Sequence, residues 1–130
     1  MSWMRRKSFA IVVATFGLVA LVGGSLGVAT AGVRQTTLST GFNVVGGPLG
    51  GAVSPDQFVA CLPANSWSAV YIWDGANQNW LHYFGGVPGY VNASGAGGIA
   101  TIPQLSGVVL IMNSAVTNPR LKDTNAETCN

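Results

Sequence analysis

The chain has 130 residues, enough for one domain, and only 8% of them are charged, about a third of the share usual in globular proteins. Its formal charge of +2 comes from the N-terminus, because residues 32–130 hold three basic and four acidic side chains, a net charge of −1. Nucleic-acid binding relies on a basic surface that neutralises phosphates, so we expect no nucleic-acid partner.

The N-terminal segment has the pattern of a secretory signal peptide. Arg5, Arg6 and Lys7 precede an uncharged run over residues 8–33, and Ala31 ends an A-x-A cleavage pattern. We predict that residues 1–31 form a hydrophobic signal helix that is cleaved after Ala31. The alternative is an uncleaved membrane anchor, since about 20 apolar residues can span a bilayer. Several glycines in the second half of this uncharged run disfavour a membrane-spanning helix, which makes cleavage the favoured interpretation. Either interpretation places the rest of the chain outside the cytoplasm, with membrane contact only through this segment.

After the leader, residues 32–40 are polar and Thr-rich, which predicts a flexible lead-in. A β-rich module is predicted over residues 41–116, and its first strand over Gly41–Gly46. Residues 117–130 turn polar again and are predicted to form a C-terminal tail.

The strongest helix signal of this part of the chain begins at Ser54. Ser54 suits the N-cap and Pro55 the first helical position, while Gln57 completes a capping box. Pro63 is expected to end the helix after about two turns. Its apolar face would carry Phe58, Cys61 and Leu62. A helix this short needs an apolar surface to pack on.

An aromatic β-hairpin is predicted next, with two strand-forming runs around a turn at residues 75–78. A four-residue turn pairs Trp73 with Trp80 and Tyr71 with His82. Since side chains alternate along a strand, the two faces differ in character. One face carries Tyr71, Trp73, Trp80, His82 and Phe84, and the other carries Val70, Ile72, Leu81 and Tyr83. The aliphatic face is expected in the core, whereas the indole and phenol groups allow the aromatic face to lie half in water.

The remainder of the module supplies a Gly-rich connection and one more strong strand. Residues 85–98 fit either a binding loop or irregular covering structure. Residues 99–102 are interpreted as a short strand, and residues 108–112 as a central strand that is apolar on both sides. Strands and helices do not alternate, so antiparallel pairing is expected. We therefore predict a mainly β fold, a small antiparallel β-sandwich or partly open barrel with one short helix.

The chain has two cysteines, Cys61 and Cys129. An even number of cysteines in an exported chain predicts a disulfide, which would stabilise the fold by about 4 kcal/mol. The alternative is a buried free Cys61 with Cys129 left to pair between molecules.

The order of motifs resembles a small module with a G-W-N-L-V-G opening, found, often repeated, in secreted and surface proteins of bacteria such as Chloroflexi. The resemblance starts at Gly41–Gly46 and continues through the short helix and both hairpin strands. It extends to residues 88–92 and 108–112, and covers about residues 38–117. The chain departs from that module at Phe42, where tryptophan is usual, in lacking an aromatic pair after Gly107, and in its two cysteines. The resemblance implies an extracellular β-module without enzymatic activity.

Catalytic groups in complementary roles are scarce. His82 is the chain's single histidine, so a metal site would need carboxylates that this region lacks. Asp56 is more simply a helix N-terminal residue and Asp74 a turn residue. We expect no catalytic residues, no metal and no cofactor, and a small secreted hydrolase is the least favoured alternative.

The main functional hypothesis is an interaction module. Tyr71, Trp73, Trp80 and His82 are the candidate ligand-binding residues, and a glycan, another cell-surface polymer or a peptide is the candidate partner. The structural alternative is that these rings fill the core or pack under the loop at 85–98. A further alternative is a structural or adhesion unit that assembles through sheet edges. Exposed, coplanar rings would favour ligand binding, and a long unprotected edge would favour assembly.

Overall fold

A computed structural model describes residues 37–130. The predicted signal helix and the cleavage site at Ala31 lie outside these residues. The described part contains β1 (Thr37–Leu38), β2 (Gly41–Gly46), α1 (Pro55–Phe58), β3 (Trp67–Asp74), β4 (Asn79–Phe84), β5 (Gly107–Met112) and β6 (Val116–Thr117). Two short 3-10 helices, Gly89–Asn92 and Ser94–Ala96, lie between β4 and β5. This confirms a mainly β fold whose described residues include one short α-helix.

The strands form two antiparallel sheets. One has four strands in the order β2-β5-β3-β4, and the other pairs β1 with β6. β1 lies within the segment interpreted as a lead-in, and its Leu38 is fully buried, so the packed structure extends back to Thr37. None of the helices between residues 37 and 130 is both long and apolar enough to cross a membrane.

The predicted central strand is confirmed as β5, which lies between β2 and β3. Val108, Leu110 and Met112 are buried on one side, and Val109 and Ile111 are half-buried on the other. Alternation along the strand thus gives one core face and one partly covered face.

The hairpin register is also as predicted. Trp73 pairs with Trp80 and Tyr71 with His82, around a turn at residues 75–78. Val70 and Ile72 lie in the core, as expected for the aliphatic face. The core also contains Val45, Val53, Phe58, Val59, Leu62, Ile99, Ile102 and the buried side chains of β5.

The helix is shorter than predicted, since α1 has a single turn and the chain then continues through turns to Pro63. The capping box does not form, because the side chain of Ser54 makes no capping bond. Residues of the C-terminal segment form hydrogen bonds with Gln57 and Ser54 instead. Lys122 Nζ donates to Gln57 Oε1 at 2.6 Å, and Ser54 N donates to Asn125 Oδ1 at 3.1 Å.

The C-terminal segment packs along α1 and the loop before it. Cys129 forms the predicted disulfide with Cys61, with their Cα atoms 5.2 Å apart. The Lys122 amide donates to Phe58 O at 3.1 Å, and Lys122 itself is buried. The disulfide is compatible with an extracytoplasmic location.

Residues 99–102 form no regular strand. One isolated bridge lies just before the segment, between Gly98 and His82, and another lies at its end, between Ile102 and Val53. Ile99 and Ile102 are nevertheless buried.

Candidate functional site

The four-stranded sheet has a side that faces away from the core, which we call the outer face. Strand alternation and the pairing register assign ten side chains to it. They are Phe42 and Val44 of β2, Ala69, Tyr71 and Trp73 of β3, Trp80, His82 and Phe84 of β4, and Val109 and Ile111 of β5. None of these ten residues is Asp, Glu, Lys or Arg, so the outer face is almost entirely apolar and aromatic.

Four large side chains of the outer face are strongly exposed. The exposed fractions are 48% for Trp73, 54% for Trp80, 69% for Phe42 and 55% for Val44. Exposed apolar patches are typical of interaction surfaces in soluble proteins, so the outer face is the candidate site. The outer face thus contains all four residues predicted from the sequence, Tyr71, Trp73, Trp80 and His82. Trp73 and Trp80 are the most exposed aromatic residues of the hairpin on this face.

The two indoles meet edge to face. The ring centroids of Trp73 and Trp80 are 5.3 Å apart, with an interplanar angle of 66°. The rings are therefore exposed but not coplanar, and they form a corner rather than a flat platform. A planar ligand can stack on one ring while the other bounds it laterally.

Tyr71 and His82 are less accessible than the tryptophans because they are engaged inside the structure. His82 stacks on Phe84 with centroids 4.6 Å apart, and Tyr71 packs edge-on against Phe84 at 5.9 Å. His82 Nε2 lies 2.9 Å from Val91 O, and because a carbonyl only accepts, this nitrogen donates. Both rings therefore pack on Phe84.

The loop after β4 folds back and covers the outer edge of that strand. The His82 amide donates to Gly97 O at 3.0 Å, and His82 O accepts from the Ile99 amide at 2.8 Å. The Asn92 carboxamide bonds both backbone groups of Phe84, with distances of 2.8 and 2.9 Å. Gly98 lies so close to the loop that a Cβ there would be 1.9 Å from Asn92 O. At His82 and Phe84, the loop therefore occupies the edge positions that a neighbouring strand would need.

The outer face also has a region without side chains, which the sequence reasoning missed. Gly46 pairs with Gly107, and the pairing of β3 with β5 ends one residue earlier, at Ile72 and Val108. Both glycines are exposed. We call this Gly46–Gly107 pair the glycine shelf. Phe42 and Val44 were missed too, since their face is known only once β2 is paired with β5.

Within residues 37–130, the ionisable groups with shifted pKa values are Asp56, Asp74 and Tyr83, and none of these three lies on the outer face. A hydrogen bond from Ser54 lowers the pKa of Asp56, and one from the Asn77 side chain lowers that of Asp74. Burial, with a smaller contribution from the charge of Asp56, raises the pKa of Tyr83.

Among residues 37–130, no group of three or more His, Cys, Asp or Glu side chains is placed to hold a metal ion. No family model, curated protein or solved structure matches the chain. The candidate site is therefore defined by the geometry of the outer face.

Proposed function

We propose that the protein is a secreted or cell-surface interaction module, not an enzyme, which binds carbohydrate through Trp73 and Trp80. The observation that carries the proposal is the pair of half-exposed indoles on a sheet face without charged residues. Sugar rings expose C–H groups on their faces, which stack on indole, and hydroxyls at their edges, which keep their hydrogen bonds to water or to polar groups. Exposed indoles therefore favour a ligand that needs stacking more than ion pairing.

Peptide binding by strand addition is less well supported at the hairpin. That mode requires free backbone groups along a sheet edge. At β4, the groups of His82 and Phe84 are bonded to the following loop. The same contacts disfavour assembly of copies through this edge.

Location outside the cytoplasm is part of the proposal. The Cys61–Cys129 disulfide, the signal-peptide pattern of residues 1–31 and the resemblance to secreted bacterial modules all support it. In that setting a glycan or another cell-surface polymer is an abundant partner.

The test is a binding screen of the disulfide-bonded protein against cellulose, chitin, xylan and peptidoglycan, repeated with Trp73→Ala and Trp80→Ala. Loss of one stacking ring is worth about 1 kcal/mol, so each substitution should weaken binding severalfold. Tyr90→Ala is the matched control, because Tyr90 is an aromatic residue with 77% exposure outside the sheet. Binding that survives both tryptophan substitutions would exclude the proposed site.

A further inference from the structure

We infer that Asp74 is a modification site, at which isoaspartate forms spontaneously with Gly75, and that this change opens the turn that holds Trp73 against Trp80. The edge-to-face indole pair is therefore lost as the folded protein ages. Neither the reaction nor the loss of the pair depends on which ligand the outer face binds.

The Asp74–Gly75 dipeptide gives this reaction the least hindered nucleophile in the chain. The main-chain nitrogen of the following residue attacks the side-chain carboxyl carbon, so a Cβ on that residue crowds the approach. Glycine has no Cβ. Asp74 is the one Asp or Asn of the chain that glycine follows. The other two aspartates, Asp56 and Asp123, are followed by larger residues.

The folded turn leaves both reacting groups accessible. Residues 75–78 are exposed and Asp74 is partly exposed, so water reaches the peptide bond between Asp74 and Gly75. Within residues 37–130, the Gly75 amide makes no backbone hydrogen bond that would hold its nitrogen in place.

The turn also holds the carboxyl group against the backbone that follows it. Oδ1 of Asp74 accepts from the Ala76 amide at 3.1 Å and from the Asn77 amide at 3.3 Å, so the group is folded back over the turn. Holding two reacting groups together favours their reaction. The Asn77 hydrogen bonds lower the pKa of the Asp74 carboxyl group, so the protonated form that reacts is scarce at neutral pH and the reaction is slow there.

The reaction balances with water as its only co-reactant. The Gly75 nitrogen forms a bond to Cγ of the protonated Asp74 carboxyl group, the Cγ–OH bond breaks, and the hydroxyl leaves with the amide proton as water. The product is a cyclic succinimide. Water then adds to the main-chain carbonyl carbon of Asp74, the bond from that carbon to nitrogen breaks, and the nitrogen regains a proton. The chain now runs through Cβ and Cγ, and the former main-chain carbonyl is a free carboxylate.

Isoaspartate removes the interactions that fix the turn. The new carboxylate is attached to Cα and the backbone is one atom longer, so the bonds from Ala76 and Asn77 lose their geometry. The turn closes on the Asp74–Asn79 pair, and the Trp73–Trp80 pair comes directly next in the ladder. Since turn geometry sets the register of a hairpin, we expect the indole contact, with centroids 5.3 Å apart, to be lost.

The experiment incubates the disulfide-bonded protein for several weeks in mildly acidic buffer, below its unfolding temperature. Isoaspartate is labelled with isoaspartyl methyltransferase after proteolysis and located by mass spectrometry. The indole pair is followed by the circular dichroism signal of coupled tryptophans, defined as the signal that Trp80→Phe removes. Isoaspartate should accumulate at Asp74 and not at Asp56 or Asp123, and the signal should fall by the modified fraction.

Gly75→Ala is the matched variant. A Cβ at Gly75 would lie 3.9 Å from Trp73 Nε1, an ordinary contact, and Gly75 is not among the residues with positive φ, so alanine fits the turn. Isoaspartate should form about tenfold more slowly in this variant, because the added Cβ crowds the attacking nitrogen. Its unfolding temperature and its initial dichroism signal should match those of the unaltered protein, and the signal should persist.

Two results would overturn the inference, each at a different step. Absence of isoaspartate at Asp74, or equal rates in Gly75→Ala and the unaltered protein, would exclude the modification site. A modified fraction that keeps the full dichroism signal would show that the turn stays closed. Both results would leave the carbohydrate proposal standing, because Trp73→Ala and Trp80→Ala test that proposal separately.

Discussion

At the scale of single residues, Asp74 shows how one side chain fixes the turn that positions both indoles. Its Oδ1 accepts hydrogen bonds from the amides of Ala76 and Asn77 at 3.1 and 3.3 Å, and its Oδ2 accepts one from the Asn77 side chain at 2.7 Å. These bonds hold a four-residue turn, and the turn length sets the strand register. The pairing of Trp73 with Trp80 thus depends on a local interaction that is visible in the sequence.

The carboxylates of Asp74 and Asp56 lead to a prediction about acid stability. Hydrogen bonds, chiefly from Asn77 and Ser54 respectively, lower the pKa values of Asp74 and Asp56 in the folded state. A lowered folded-state pKa stabilises the fold above the unfolded value of about 3.9, and this contribution is lost as the pH falls through the folded value. The unfolding temperature should therefore drop in acid below about pH 4.

The Asp56→Asn/Asp74→Asn double variant should show a shallower drop, because two of the titrating groups are gone. Circular dichroism melts in a series of buffers from neutral pH to strong acid measure both slopes. If the double variant and the unaltered protein lose stability in parallel through this range, these two carboxylates are not the source of the acid sensitivity.

At the scale of elements, the hairpin could be predicted and the helix only in part, for a physical reason. The hairpin depends on contacts between residues near in sequence, such as Asp74 and Asn77. The helix start depends on Lys122 and Asn125, which bond Gln57 and Ser54 across 65 and 71 residues. The polar segment that contains Lys122 and Asn125 has no hydrophobic periodicity. Its sequence therefore does not indicate that these side chains will bond the groups expected to form the capping box.

The candidate site, like the fold, can be predicted only in part from the sequence. The sequence predicts that one face carries Tyr71, Trp73, Trp80 and His82, because the length of the turn sets the hairpin register. The glycine shelf and Phe42 required the strand order, in which β5 lies between β2 and β3. Strand order depends on long-range pairing, which alternation within a strand does not specify.

The loop that covers β4 supplies a prediction at this scale. Asn92→Ala removes both bonds to the backbone of Phe84, which lie at 2.8 and 2.9 Å in a partly buried position. Leaving these groups unpaired should destabilise the fold by about 1–3 kcal/mol. Hydrogen exchange at the Phe84 amide should accelerate, because its acceptor is lost.

Asn92→Asp provides the graded control for this prediction. It keeps an acceptor for the Phe84 amide and loses the donor to Phe84 O, so its stability should lie between those of Asn92→Ala and the unaltered protein. Unchanged exchange at Phe84 in Asn92→Ala would show that the loop does not protect this edge.

At the scale of the whole molecule, the disulfide joins the C-terminal segment to the chain just after α1, on the core side of the sheet. The outer face lies on the opposite side, so the surface proposed for binding and the contacts that hold the C-terminus are separate. A small domain buries a limited apolar core, and a disulfide commonly adds to its stability. Stability and binding should therefore respond to different substitutions.

The Cys61→Ser/Cys129→Ser variant tests this separation. The two cysteines are 68 residues apart, and freeing a loop of that length in the unfolded chain should destabilise the fold by about 4 kcal/mol. Urea unfolding measures the loss, and calorimetry on the fraction that stays folded measures oligosaccharide affinity, which should match that of the bridged protein. A stability loss below about 1 kcal/mol would contradict the chain-entropy account. A large fall in the oligosaccharide affinity of the folded variant would show that the C-terminal contacts shape the outer face. The sheet lies between the disulfide and that face, so the effect would have to pass through the sheet.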